Sequence, residues 1–379
     1  MMNEDAVELS ADEQKAIAKL RSSIGMRLDT SDPYDGGMMP FYSEITRDAI
    51  RHYAWAMGDL NRLWFDESYA RRSAQRQLTA MPSILFSIAP GGMSGYQFGS
   101  LRNLYGERET WGGADIQWFL PLAVDTSVST ETHLQDVEVK NGKNSGTLVK
   151  LVARTHYYGS SRELLAQSDS WVFRKRRTTY SGTFDNVSLK RWSREELADL
   201  SAEKADNIAF GPQRRLWTDV KVGDEFSLVK GPYSMSASYC YSSLWHPTHS
   251  FTGDLSPEDL LGEVSDSADS LGFRDVANPH RDARRAASHG LPGPYDYGPQ
   301  RYSWATQLLT NWIGDDGFLE ALNFQVRAFC FLGDVQRFTG TVTSKQERDR
   351  RHLVNCRIEC RNQDGRMTGA GEAIVRLAA

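Results

Sequence analysis

Two tracts of the sequence repeat one spacing of acidic residues around a variable position. Each tract has an aspartate five residues before that position and a second aspartate two residues after it. The two sets are Asp59, Trp64 and Asp66, and Asp275, His280 and Asp282. An aspartate and a histidine that share a water molecule can move protons in both directions, because histidine titrates near neutral pH. Tryptophan has no group that titrates near neutral pH, so the sequence predicts acid–base chemistry at the second tract.

The elements around the first tract predict an α+β half. After an amphipathic helix at 10–23, Thr46 is a suitable N-cap for a strongly apolar helix that Gly58 ends. Four successive strands are then predicted from alternating apolar residues and turn residues. They cover residues 116–122, 127–139, 146–158 and 163–174. A helix followed by antiparallel strands is typical of the α+β class.

The second half repeats this order of elements. A short strand begins at Val222, and helices are predicted at 234–245 and 303–313. Four further strands are predicted at 322–331, 335–344, 352–361 and 367–376. We therefore divide the chain into an N-terminal helix and extension (1–40), a first domain (41–178), a polar linker (179–215) and a second domain (216–379).

Composition argues against several functional classes. The 379 residues are 40% hydrophobic and 25% charged, as in a globular protein, and the net charge of -5 argues against a general nucleic-acid binder. The absence of a long apolar run and of an apolar leader predicts no membrane span and no secretion. Four cysteines without CxxC spacing predict reduced thiols, and so a cytoplasmic location. His246 and His249 lack a third ligand at a telling distance, so no metal site is predicted.

The repeated order of elements resembles the double hot-dog fold of the MaoC-like dehydratase family, which includes the (R)-specific enoyl-CoA hydratases. The resemblance covers nearly the whole chain beyond its first forty residues and the linker. In the first half it rests on Tyr53-Ala54, Gly58-Asp59, Asn61, Asp66 and Tyr69-Ala70. In the second half it rests on His280-x-Asp282, Ala286, Gly290, residues 295–301, Trp304, Leu332-Gly333-Asp334 and Gly340-Thr341-Val342.

Both tracts depart from the family motif, which is Asp-x-Asn-Pro-x-His-x-Asp. The first tract has Arg62 in place of the proline and Trp64 in place of the histidine. The second tract keeps His280 but carries Asn278-Pro279 one place late. The disturbed spacing leaves open whether Asp275 or Asp282 is the acidic partner of His280.

The resemblance implies two antiparallel sheets, each wrapped around a long helix, that pair within one chain as a pseudo-dimer. It also implies the reversible hydration of a 2-enoyl-CoA thioester, with coenzyme A as part of the substrate and no separate cofactor. Histidine can act as acid or base in this reaction, and a backbone N–H at a helix start can stabilise the enolate oxygen. The expected catalytic residues are His280, Asp275 or Asp282, and Gly298 as the donor to that oxygen.

The first half, which lacks the histidine, is expected to bind the acyl chain. The candidate substrate-binding residues are Asp59, Asn61, Trp64, Tyr295, Arg301 and Trp304. Tyr295 and Arg301 have an alternative role, since they could instead hold the turn before Gly298. The chain is further expected to form a homodimer. Arginines after each tract could meet coenzyme A phosphates, although such runs are usually solvated helix faces.

Two other functions remain open from the sequence. A hot-dog thioesterase would use a carboxylate and a water molecule, and would be favoured if Asp59 rather than His280 proved essential. A non-catalytic subunit that binds acyl thioesters would agree with the tryptophan at position 64. The two hypotheses differ in whether free coenzyme A is released and in whether His280 lies at a pocket.

Overall fold

The computed structural model describes residues 9–28, 42–88, 98, 101, 104–106, 108–142, 146–175, 184, 186–205, 214–244 and 279–379. Within these ranges the α-helices are α1 (Ala11–Ser22), α2 (Arg47–Met57), α3 (Glu67–Ala70), α4 (Leu85–Ile88), α5 (Arg194–Ala205), α6 (Met235–Leu244), α7 (Ala283–Ser288) and α8 (Gly298–Ile313). The strands are β1 (Glu44–Ile45), β2 (Arg108–Trp118), β3 (Thr126–Ser127), β4 (Ser129–Gly142), β5 (Gly146–Tyr158), β6 (Leu164–Lys175), β7 (Glu225–Lys230), β8 (Phe318–Val326), β9 (Gln336–Arg348), β10 (Arg351–Asn362) and β11 (Met367–Leu377). Short 3₁₀ helices include Arg62–Trp64, Pro82–Ile84 and Trp217–Asp219.

The long strands form one antiparallel sheet of nine strands, in the order β4-β5-β6-β2-β8-β11-β10-β9-β7. Counted outward from the centre, β2-β6-β5-β4 of the first half corresponds to β8-β11-β10-β9 of the second half, and β7 adds a fifth strand to the second half. The halves meet where β2 pairs with β8, from Gly113 opposite Gln325 to Gln117 opposite Ala321. We call this β2–β8 pairing the seam. The predicted α+β class and double hot-dog arrangement are confirmed, and the sheets of the two halves are joined edge to edge at the seam.

Helix α8 lies against the centre of the sheet, in contact with β2 and β8, and is buried along almost its whole length. Trp312 stacks on Phe226 of β7 at 4.2 Å between ring centroids, and the Tyr302 hydroxyl donates to the Leu322 carbonyl of β8 at 2.7 Å. The largest apolar cluster contains residues of both halves, so the core crosses the seam. Packing therefore holds the start of α8 at one position relative to both halves.

Helices α2 and α6 occupy corresponding places in the two halves and pack against each other. The Thr46 hydroxyl accepts from the Ala49 amide, and Gly58 ends α2 with a φ of 63° that favours glycine. The Tyr53 hydroxyl joins α2 to the 3₁₀ helix Pro82–Ile84, through the Ser83 carbonyl at 2.8 Å, and to α8, through Ser303 Oγ at 2.9 Å. These contacts fix the end of α2, and therefore the position at which the first acidic tract begins.

Three elements begin earlier than the sequence predicted, and one of them is β8, which covers Phe318–Val326 and not 322–331. Helix α8 begins at Gly298 and not at 303, because Pro299 is compatible with the first turn of a helix even though it suggests a loop. Strand β2 begins at Arg108 and not at 116, with a register shift between Trp111 and Gly113. The earlier starts of α8 and β2 matter for the site, because they place Gly298 within the helix and Trp111 within the strand.

The segment predicted as a linker contains helix α5. Leu200 packs in a small cluster with Val229 and Val335, and Glu203 forms a bidentate ion pair with Arg337 at 2.8 Å. Since Val229, Val335 and Arg337 belong to the second half, α5 packs as part of that half.

Candidate active site

His280 lies beside the turn that precedes helix α8. Its Nδ1 is 3.0 Å from the Tyr295 carbonyl oxygen and 3.1 Å from the Asp296 carbonyl oxygen. Carbonyls only accept, so Nδ1 carries the proton, and in the neutral ring Nε2 is the basic nitrogen. The contacts hold the imidazole against the turn that leads into Gly298.

Aromatic rings enclose this imidazole. The Tyr297 ring stacks on it at 4.1 Å and 16°, and the Tyr295 ring lies at 4.1 Å on a tilt of 52°. Ser238 of α6 donates to the His280 carbonyl at 3.1 Å, which fixes the backbone as well. Burial lowers the pKa of His280 to about 4, against the opposing effect of the two carbonyls. The ring is therefore neutral, and able to accept a proton, at neutral pH.

Gly298 is the first residue of α8 and lies against Trp111 of β2. A β-carbon at this position would be 2.4 Å from Trp111 Cε3, so no larger residue fits without movement. The first amides of a helix have no acceptor within the helix and point toward its N-terminal end. The helix start beside His280 thus combines donor groups with a close approach that requires glycine.

The contact with Trp111 predicts the effect of Gly298→Ala. We expect a loss of about 1–3 kcal/mol in the free energy of unfolding, because the added methyl group overfills the space beside the indole. Urea denaturation measures this loss. The double variant Gly298→Ala with Trp111→Leu should recover part of the loss relative to Trp111→Leu alone. Equal stability of Gly298→Ala and the wild type would refute the close contact.

The two candidate acidic partners of His280 differ in what the structure describes. Asp282 caps α7, and its Oδ1 accepts from the Arg284 amide at 2.7 Å and the Arg285 amide at 2.9 Å. Asp275 lies outside the described residues, as do His246 and His249. One oxygen of Asp282 is therefore committed to holding the helix that follows His280.

Arg301 forms a buried ion pair with Asp296. Both side chains are about 1% exposed, and Nε donates to Asp296 Oδ2 at 2.7 Å while Nη2 donates to Oδ1. Nη1 donates to the Ala328 carbonyl at 2.6 Å and the Thr368 carbonyl at 2.7 Å. These contacts tie the turn before Gly298 to the sheet, so of the two roles open for Arg301 they support holding the turn.

The first acidic tract forms a closed hydrogen-bond network around Asp59. Its Oδ1 accepts from the Asn61 amide at 3.0 Å, and its Oδ2 accepts from Trp64 Nε1 at 2.9 Å. Asn61 in turn caps the 3₁₀ helix by accepting from the Leu63 amide at 3.0 Å. Burial raises the pKa of Asp59. In this half an indole N–H occupies the place that the histidine has in the motif, and it binds the aspartate directly.

A cavity of about 380 Å³ opens beside this network. Asp59 and Asn61 lie in its wall together with Trp304 of α8, while Trp64 lines a smaller cavity of about 60 Å³ next to Pro82 and Trp118. The structure therefore brings together three of the predicted substrate-binding residues and places Trp64 on the other side of the tract.

Several residues of the site were not found by sequence reasoning. Lys230, Gln307 and Tyr233 line the larger cavity, and Trp111 covers Gly298. One sequence signal was available: Gly298 follows His280 by eighteen positions, and Pro82, where the 3₁₀ helix Pro82–Ile84 begins, follows Trp64 by eighteen positions. This equal spacing relates the two helix starts. The contacts of Lys230 and Trp111 join distant parts of the chain and have no local signature.

In the part of the chain that the structure describes, no cluster of three or more histidine, cysteine, aspartate or glutamate side chains is arranged to hold a metal ion. None of the helices described combines the length and apolar character needed to cross a membrane.

Comparison with known proteins supports the resemblance. Residues 37–166 match the family model described as FAS1-like, dehydratase domain region. A structure described as a MaoC-like dehydratase superposes with a TM-score of 0.66 at 14% identity, covering 95% of this chain and 100% of the other. A MaoC domain protein dehydratase from Chloroflexus aurantiacus, itself described as putative, gives a TM-score of 0.56 at 12% identity, covering 89% and 93%.

A conserved hypothetical protein from Mycobacterium tuberculosis, described as having a double hotdog fold, gives a TM-score of 0.51 at 11% identity, covering 88% of this chain and 92% of the other. No curated protein sequence matches at a significant level. Residues 37–166 therefore match a dehydratase-domain family, the chain has the double hot-dog fold, and the resemblance predicted from the sequence is confirmed.

Proposed function

We propose that this protein is a hydro-lyase that reversibly hydrates a 2-enoyl thioester to the 3-hydroxyacyl thioester, with His280 and Gly298 as its catalytic pair. The observation that carries the proposal is the hydrogen bonding of His280 Nδ1 to the carbonyls of Tyr295 and Asp296. A neutral imidazole held beside the first amides of a buried helix combines a base with a site for developing negative charge. The dehydratase-family match supports this reaction class.

In the hydration direction, His280 Nε2 takes a proton from a water molecule as the water oxygen bonds to the β-carbon. Electron density moves to the thioester oxygen, which accepts a hydrogen bond from the Gly298 N–H. The protonated Nε2 of His280 then gives its proton to the α-carbon, which restores the neutral imidazole and the thioester carbonyl and completes the hydrated product. We propose that an aspartate, Asp275 or Asp282, orients the water, and one oxygen of Asp282 also caps α7.

We further propose that the acyl chain extends into the cavity beside Asp59, Asn61 and Trp304. Tyr295 packs on the imidazole of His280, and Trp64 donates a hydrogen bond to Asp59, so each positions another residue of the site. Coenzyme A as the thiol carrier, a dimer of chains and a cytoplasmic location stay predictions of the sequence.

The direct test is to mix the purified protein with crotonyl-CoA and with longer 2-enoyl-CoAs and to follow the absorbance of the conjugated thioester. Loss of absorbance with formation of the 3-hydroxyacyl thioester is the expected result. Release of free coenzyme A, measured with a thiol reagent, would favour the thioesterase. Binding without any turnover would favour the non-catalytic subunit.

The lowered pKa of His280 predicts the pH dependence of hydration. The neutral ring is the base, and burial places its pKa at about 4, so the active form is complete at every pH well above that value. We expect kcat/KM to stay level from neutral pH downward and to fall only as the pH approaches about 4. Circular dichroism at each pH shows whether the protein stays folded. A fall centred near the ordinary histidine pKa of about 6.5 would contradict this assignment.

A further inference from the structure

The segment before α5 packs against the part of the second half that surrounds His280. We call Phe184 and residues 186–192 the strap. The strap lies within the stretch that the sequence predicts as a linker. At its end, Trp192 packs with Leu200 of α5 and with Val229 of β7, so the strap is anchored on the second half.

The strap contacts the connection between β8 and β9 at Gly333. Trp192 Nε1 donates to the Gly333 carbonyl at 2.7 Å. A β-carbon at Gly333 would be 2.6 Å from the Lys190 carbonyl oxygen, and the φ of 85° at this position also favours glycine. The main chains of the strap and of the connection are therefore in direct contact.

The connection in turn binds the turn that orients His280. Residues 330–332 and 294–296 are joined by two hydrogen bonds of 2.9 Å, from the Leu332 amide to the Pro294 carbonyl and from the Asp296 amide to the Cys330 carbonyl. The same turn supplies the two carbonyls that bind His280 Nδ1. The strap also reaches the turn directly, since a β-carbon at Gly293 would be 3.0 Å from Leu189 Cδ1. The position of the turn therefore depends on the strap and on the connection.

Aromatic rings make a second path from the strap to His280. The Phe184 ring packs edge-on against Phe329 at 5.8 Å and against Phe331 at 5.5 Å between centroids. Phe329 packs edge-on against Tyr295 at 4.7 Å, and Tyr295 lies 4.1 Å from the imidazole. The strap therefore supports one of the two rings that enclose the imidazole.

We propose that the strap is a positioning element of the active site, and that Trp192 holds the turn that orients His280. This inference rests on the proposed function, in which His280 Nε2 takes a proton from water. Trp192 acts through Gly333 and the turn, so it is a positioning residue and not a catalytic one.

A loosened strap would admit water to the imidazole and release its Nδ1 contact. Burial is the largest effect on the pKa of His280, and Arg281 lowers this pKa further. Asp296, on the turn, is paired with Arg301. None of these charged side chains changes in a Trp192 variant, so added water is expected to raise the pKa of His280 toward its ordinary value of about 6.5.

Trp192→Phe tests the inference, because phenylalanine keeps an aromatic ring at this position and removes the indole N–H. We expect kcat to fall by roughly 10- to 100-fold, since a displaced base loses its alignment with the water, and KM to stay within about 3-fold of the wild type. The acid fall of kcat/KM should move upward from about 4.

Trp217→Phe is the matched control. Trp217 Nε1 also donates to one carbonyl, that of Leu353 in β10 at 3.3 Å, and this contact is not part of the path to His280. The control variant should keep the kcat and the pH profile of the wild type.

NMR of protein with carbon-13-labelled histidine separates this inference from the proposed function. The His280 signal, identified by its absence in His280→Gln, titrates whether or not an enoyl thioester is turned over. A higher pKa of His280 in Trp192→Phe than in the wild type and Trp217→Phe supports the inference. If the wild type then turns over no enoyl thioester, the proposed function alone fails.

An unchanged His280 titration in folded Trp192→Phe would overturn the inference, whatever the change in turnover. An unchanged kcat in this variant of an active protein would overturn it as well. If Trp192→Phe does not fold, Phe184→Leu takes its place, because it removes the edge-on contacts with Phe329 and Phe331 and should raise the pKa of His280 in the same direction.

Discussion

Replacing His280 by alanine is expected to lower kcat/KM for enoyl-thioester hydration by roughly 100- to 10,000-fold, the range that a positioned general base contributes. The alanine keeps the backbone, whose carbonyl accepts from Ser238, but removes the basic nitrogen. The rate of absorbance loss with the best enoyl-CoA measures the effect. A His280→Gln variant is the second form of the test, since an amide can keep the hydrogen bond to the turn without acting as a base at neutral pH.

The matched control is His156→Ala. His156 lies in β5 and contacts Gln167 at 3.0 Å on the sheet of the first half. Its loss should leave kcat/KM within a few-fold of the wild type. If His280→Ala and His280→Gln are folded and retain wild-type turnover, the site assignment is wrong and the base must be sought elsewhere.

Replacing Arg301 by methionine is expected to lower the free energy of unfolding by about 3–5 kcal/mol, because the carboxylate of Asp296 would be left buried without its partner. The two carbonyls that accept from Nη1 would lose their donor as well. Chemical denaturation measures the loss. We also expect reduced turnover in the folded fraction, because Asp296 precedes Gly298 by two residues and its carbonyl accepts from His280.

Arg337→Met is the comparison for that variant. Arg337 also binds a carboxylate through two nitrogens, at 2.8 Å to each oxygen of Glu203, but both side chains are 40% exposed. An exposed pair contributes at most about 1 kcal/mol, so this variant should remain close to the wild type in stability. Similar losses in the two variants would show that burial of the Arg301 pair is not what sets its effect.

Local patterns of sequence were sufficient to predict most strands and helix α2. Buried and half-buried residues alternate along β9, which is the period that identifies a strand. Helix α2 has a capping threonine before it and a glycine after it, and both act within a few residues of the helix end. Such signals are contained in short windows of sequence, and for this reason the repeated order of elements was recognisable.

The missed features depend on contacts between distant residues. Trp111 covers Gly298 across the seam, and Lys230 reaches the end of α2. A lysine at the end of a strand is typical of an exposed edge, so the local sequence does not indicate this contact. The acidic partner of His280 was ambiguous for another reason: Asp282 matches the motif spacing and also matches a helix cap.

The seam has a consequence for how the two halves differ. If β2 and β8 paired between separate identical chains, any substitution in one half would appear in both, and a tryptophan at the histidine position would remove the base from each. Because the two halves are joined in one polypeptide, every molecule contains one copy of each half, and the two copies can differ in sequence. The first half can then hold Trp64 against Asp59, and the proposed base, His280, is required in the second half only.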